Sequence, residues 1–193
     1  MRLFAALGPS PAALDHLDNA LTLAWPRPEG RTTPWTPRSN WHVTLAFYGE
    51  VADQSADWLA GQAAQAVAGH SPFELHLSGA GQFPSGQSWI GLGGQTDRLL
   101  ALMADCRALW PASADPVQVA RPHLTVSRPH LTVSRRRRDR VLADALRALA
   151  VYRGPTWTVE RARLFQSELG QGPGHHPLYT PLADLPLAAV PSA

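Results

Sequence analysis

Two kinds of side chain recur together in this sequence at a spacing that could do chemistry. "WHVTLAF" places His42 two residues before Thr44, and the heptapeptide "RPHLTVS" occurs twice in succession, giving His123 with Thr125 and then His130 with Thr132. Residues two apart in a β-strand point to the same face, so each His would stand beside its Thr, with an apolar Val or Leu turned the other way. If two such strands are neighbours, two imidazoles share one cleft. Histidine titrates near neutral pH, so one ring can take a proton while the other gives one. Threonine hydroxyls can donate to the oxygens of an anion held between them. Such a set suits hydrolysis of a phosphodiester, with one His activating water and the other protonating the leaving oxygen, and no metal or cofactor is called for.

One His-x-Thr unit is a weak signal, but two separated copies inside alternating strands are hard to obtain by chance. The tandem copy adds no third independent unit, because one slip event explains it. A seven-residue insertion is odd, and an odd shift inside a strand turns every side chain to the opposite face. Only one copy can therefore hold the strand position. The separations from His42 are 81 residues to His123 and 88 to His130. A loop of ordinary length before His123, "PASADPVQVA", favours the first copy, whereas the closeness of His130 to the next helix favours the second. The balance goes to His123 and Thr125 with Arg128 following; the alternative register is His130, Thr132 and Arg135.

The elements that must position these residues read as an α+β chain. "RLFAALG" and "WHVTLAFYG" read as strands, as do "FELHLSGAGQF" and "QSWIGLGG" with a Gly/Pro/Ser turn between them. In the second of these, His42, Thr44 and Ala46 are expected on the open face and Val43, Leu45 and Phe47 in the core. "SPAALDHLDNALTLAW" reads as a helix with Ser10 as N-cap and Pro11 in the first turn. "QSADWLAGQAAQAVAGH" is a second helix, "TDRLLALMADCRALW" a third capped by Thr96 or Asp97, and "DRVLADALRALAVY" a fourth. "PTWTVERARLFQSEL" reads as one strand, and the Pro-rich tail "PLADLPLAAVPSA" is expected to fray. The sheet should be mostly antiparallel, since some strands are hairpin neighbours. With 193 residues, one domain spanning 1–193, built as two intertwined lobes around one site, is the expectation.

Composition narrows the function classes. The chain has 45% hydrophobic and 17% charged residues and a formal net charge of +2, which suits a packed core. All 17 basic residues are Arg, whose planar fork matches phosphate oxygens. No apolar run is long enough to span a membrane, and the apolar start is too short for a signal peptide. Cys106 is the one cysteine; it allows no internal disulfide and reads as a core residue, and a cytoplasmic monomer is expected. "RRRRDR" at 135–140 could attract RNA phosphates. His175 and His176 read as a surface loop rather than metal ligands, and His76 as structural. Trp41, Phe83 and Trp89 could stack on a base, whereas Phe47 reads as core.

At these residues the chain resembles the 2H phosphoesterase superfamily, and within it the RNA 2′,3′-cyclic phosphodiesterases, also called 2′-5′ RNA ligases. "MRLFAAL" resembles the opening strand, "WTPRSNWHVTLAFYGEV" the first motif, and "FELHLSGAGQFP" the central strand and turn. "RPHLTVSR" is similar to the second motif, in which an Arg follows the Thr by three residues, and "RLFQSELGQGPGHHPLYTPL" to the closing strand and Tyr-containing end. The resemblance implies a bilobal, pseudo-symmetric α+β fold of antiparallel sheets around a cleft, with helices outside. It further implies metal-independent opening of 2′,3′-cyclic phosphate ends of RNA, or of cyclic nucleotides, to a 2′-phosphate, with 2′-5′ joining as the reverse. His42 and Thr44 match the first motif; the second is matched by either copy.

Overall fold

The computed structural model describes residues 1–25, 35–84, 86–110, 130–134 and 140–189. Eight strands form one sheet: β1 (Arg2–Leu7), β2 (Val43–Glu50), β3 (Phe73–Gln82), β4 (Ser88–Gly94), β5 (His130–Ser134), β6 (Arg153–Val159), β7 (Arg161–Glu168) and β8 (Leu178–Pro186), in the spatial order β6-β3-β4-β5-β2-β1-β7-β8. Every pairing is antiparallel. Among the described residues, four α-helices accompany it: α1 (Pro11–Ala24), α2 (Asp53–Ala68), α3 (Thr96–Ala108) and α4 (Arg140–Ala148). The expected antiparallel sheets are thus two halves of one sheet, β6-β3-β4-β5 and β2-β1-β7-β8. They are joined at a seam where β2 meets β5 at a single register position, Val43 with Leu131.

One face of this sheet is apolar and buried. Leu3, Leu7, Val43, Leu45, Leu75, Leu77, Ile90, Leu131 and Val133 join the inward stripes of α1, α2 and α3 in a continuous core. Burying a Leu or Val side chain contributes roughly 1.5–3 kcal/mol, so this face fixes which way each strand presents its alternate residues. The other face carries the polar and aromatic groups.

Local sequence accounts for most element ends. Ser10 Oγ accepts the Ala13 N–H at 3.2 Å and Pro11 opens α1, as the sequence indicates. α3 begins at Thr96, but neither Thr96 nor Asp97 caps it: Gln95 holds the cap position without a side-chain bond to the helix, and its Oε1 accepts the Glu74 N–H instead. The single strand read over "PTWTVERARLFQSEL" is two, β6 and β7, separated by Glu160 alone and lying in opposite halves of the sheet. The tail does not fray where expected. Residues 178–186 form β8 along β7, because its backbone groups find ladder partners there.

Candidate active site

β2 positions the first unit, and a β-bulge decides which of its residues face the cleft. Against β1, Ala6 pairs with Thr44 and Ala5 with Ala46, so Leu45 is an extra residue. A bulge turns neighbouring side chains toward the same side. Leu45 and Ala46 both enter the core at 0% and 3% exposure, while Thr44 and Phe47 stay partly exposed. Plain alternation put Ala46 beside Thr44 and Phe47 in the core. The bulge reverses both.

β5 holds the position beside β2, and it is built from the second copy of the heptapeptide. The first copy, with His123, Thr125 and Arg128, lies outside the described residues, as does Arg135 of the second. Among the described residues, the strand beside β2 carries His130 and Thr132 of the alternative register. Five residues join Ser134 to α4, an ordinary connection length. Val43 opposite Leu131 fixes the rest. One strand runs up as its antiparallel partner runs down, so 42 stands across from 132 and 44 across from 130. Each His position faces the Thr position of the other unit.

The described side chains converge accordingly. His42, Thr44 and Thr132 line one slot of about 50 Å³ together with Thr36, Asn40, His176, Pro177 and Tyr179. A water molecule's share of liquid is about 30 Å³, so such a slot suits a small group and excludes a nucleoside. The segment ahead of β2 straps the seam from above: the Thr36 N–H donates to the Val133 carbonyl at 2.7 Å, and Asn40 Nδ2 donates to the Pro177 carbonyl at 2.9 Å.

His42 is held on three sides. Its Nδ1 lies 2.8 Å from the Asn40 carbonyl, which can only accept, so Nδ1 carries the proton and Nε2 is the basic nitrogen of the neutral ring. The ring packs 5.0 Å from Phe4 and meets Tyr179 edge-on at 5.2 Å. Phe4 stacks on Phe165 at 5.2 Å and contacts the Tyr179 ring at 4.9 Å, and the Arg2 guanidinium lies over Phe47. A cavity of about 750 Å³ opens from this aromatic patch, reaching His42, Phe4, Phe165 and Tyr179 at one end and Arg38, Arg161 and Arg163 around its walls. Two of those cations are already paired, Arg38 with Asp15 and Arg163 with Asp184.

The arrangement offers a basic ring nitrogen, threonine hydroxyls from two strands and a stacking surface. The 2′-5′ RNA ligase superfamily matches residues 24–171 of this sequence. The chain belongs to that superfamily. Phosphodiester chemistry is therefore its activity class. TT0787 of Thermus thermophilus is similar in structure with a TM-score of 0.71 at 25% identity, covering 96% of this chain and 97% of its own. E. coli LigT complexed with NADP+ gives 0.70 at 26% identity, with 97% and 98% covered, and apo LigT gives 0.72 at 24% with the same coverage. The fold is the 2H phosphoesterase fold. No curated protein matches the chain.

Other residues singled out by sequence sort differently in this superfamily member. Cys106 is fully buried, and burial, reinforced by Asp105, pushes its thiol up to about 12; it packs and does not react. His76 is buried on β3 over Gly93. Trp41 is core, its indole N–H donated to the Thr36 carbonyl. His176, read as a surface loop residue, lines the slot. Phe4, Phe165 and Tyr179 escaped notice because strand alternation marks Phe4 and Phe165 as plain apolar positions, though the Tyr-containing end was part of the family likeness. No group of three or more His, Cys, Asp or Glu that could hold a metal occurs among the described residues, and no described helix is long and apolar enough to cross a membrane.

Proposed function

We propose that the protein is an RNA 2′,3′-cyclic phosphodiesterase that opens the cyclic phosphate to a 2′-phosphate, with His42 and His130 as its acid–base pair and Thr44, Thr132 and Arg135 as phosphate ligands. The observation that carries this reading is the crossed register at the seam, 42 against 132 and 44 against 130, in a slot sized for one small group. One imidazole takes a proton from water as its oxygen bonds to phosphorus; the other gives a proton to the 3′-oxygen as the P–O3′ bond breaks. The hydroxyls of Thr44 and Thr132 donate to the non-bridging oxygens, where charge builds in the transition state. The nucleoside lies on the partly exposed rings of Phe165 and Tyr179, backed by the buried Phe4, which supply a stacking face for an unpaired base. E. coli LigT has been crystallised with phosphate and with 3′-AMP, ligands of the kind this slot and patch would take.

The test is hydrolysis of a 2′,3′-cyclic nucleoside monophosphate in EDTA, with the product identified by its phosphate position. Release of the 2′-phosphate supports the reading; a 3′-phosphate product, or no turnover, would overturn it.

A further inference from the structure

The proposed proton transfers use His42 and His130, yet a third imidazole, His176, lines the slot with no part in them. The loop before β8 is shaped to present it. Gly174 (φ 65°) and His175 (φ 59°) are both left-handed, a conformation that few residues with a Cβ adopt. His176 follows them in extended geometry. The Gly172 N–H donates to the His176 carbonyl at 2.8 Å and closes the turn. A Cβ on Gly172 would lie 2.8 Å from that same oxygen, so the turn leaves no room for a side chain there.

Asn40 ties this loop to the first histidine. Its carbonyl accepts from His42 Nδ1 at 2.8 Å, and its Nδ2 donates to the carbonyl of Pro177, the residue after His176, at 2.9 Å. His176 also lines a cavity of about 430 Å³ shared with Asp18 and Arg38, so its ring stands in the wall between that cavity and the slot. Among the described residues, the titratable and charged groups in these two spaces are His42 on β2, Tyr179 on β8, Asp18 on α1 and Arg38 on the strap. Arg38 is already paired with Asp15, and β5 adds His130 at the seam.

The proposed reaction changes the charge in the slot. A cyclic phosphodiester carries one negative charge, and the monoester it opens to carries nearly two at neutral pH, because the second pKa of such a group is about 6. Two imidazoles suffice to move the protons. A third, when protonated, is a cation beside the anion, and charge-assisted hydrogen bonds are about twice as strong as neutral ones. We infer that His176 is a phosphate-binding residue whose positive charge makes the slot hold a 2′-phosphate monoester more tightly than the cyclic diester at acidic pH, so that product leaves more readily as the pH rises. This rests on the proposed function and adds pH-dependent product retention to it.

The experiment compares wild type with His176→Gln at about pH 6 and about pH 8.5, on either side of the range in which histidine changes charge. It reads inhibition of cyclic mononucleotide turnover by a nucleoside 2′-monophosphate, and binding of inorganic phosphate by calorimetry. Titration of the ligand and of the other two imidazoles is common to both proteins, so the ratio of their constants isolates His176. His176→Gln should weaken both ligands by about fivefold at the lower pH, the added strength of a charged over a neutral hydrogen bond, and by less than about twofold at the higher. Its KM for the cyclic substrate should change by a smaller factor. A loss no greater at the lower pH than at the higher, or an equal change in KM, would overturn the inference. Phosphate binding needs no turnover: the expected loss there without hydrolysis of the cyclic mononucleotide by wild type would sink the proposed function and leave the anion site at His176 in place.

Discussion

Thr132 stands across the seam from His42, although 90 positions separate them in the chain, because one antiparallel register position, Val43 with Leu131, ties β2 to β5. The two His-x-Thr units are therefore interleaved rather than set side by side as separate pairs. In the proposed reaction, a phosphate bound between them would meet a His and a Thr from each strand.

His42→Ala should lower hydrolysis of a 2′,3′-cyclic phosphate by about 10²- to 10⁴-fold, the usual cost of losing a general acid or base. The ring is partly exposed and lies outside the main core cluster, so the thermal midpoint should change little. Retention of more than a tenth of wild-type kcat would remove His42 from the mechanism.

The duplicated heptapeptide gives a second expectation. His130→Ala should lose activity to a similar extent and His123→Ala should keep it, since β5 is built from the second copy. Deleting 121–127 should leave an active enzyme that retains His130, Thr132 and Arg135. Inactivity of His123→Ala alone would return the site to the first copy.

Tyr179 touches His42 through its ring edge, so the ring and not the hydroxyl should matter. Tyr179→Phe is expected to keep kcat within about threefold, while Tyr179→Ala should cost roughly tenfold or more by loosening the imidazole, as small misplacements of catalytic groups do. Equal losses in both variants would point to a role for the hydroxyl.

The rate should rise and fall around neutral pH, because one imidazole must be neutral and the other protonated. Titration of kcat/KM in EDTA between about pH 4 and 9 checks this. A profile with a single limb would leave the paired acid and base unsupported.

His76 sets a pH limit on stability rather than on activity. Burial, with the Arg153 guanidinium adding to it, holds its imidazole below the usual 6.5. The unfolded chain then binds this proton more readily than the folded one, so stability is whole above 6.5 and falls as the pH drops from 6.5 toward the folded value. On lowering the pH from about 7.5 to about 5.0, His76→Gln should lose less thermal stability than wild type. Identical shifts in the two proteins would exclude His76 as the cause.

The sequence by itself determined what local chemistry encodes. Ser10 and Pro11 announce the start of α1, alternation marks β2 and β5, and the odd length of the insertion shows that only one copy can be in register. The two His-x-Thr units were legible because strand periodicity puts i and i+2 on one face whatever the rest of the fold does. Tertiary structure alone decided which side chains meet. The bulge at Leu45 exists only through pairing with β1, and it moves Phe47 to the open face and Ala46 into the core. The choice of the second copy follows from where β5 can pair between β4 and β2, a long-range register that neither copy's identical residues can signal. His176 and Tyr179 reach the slot because β8 zips along β7 and brings the loop before it back to the seam. Contacts of that kind depend on sheet order, and sheet order is a property of the whole buried face rather than of any one stretch of sequence.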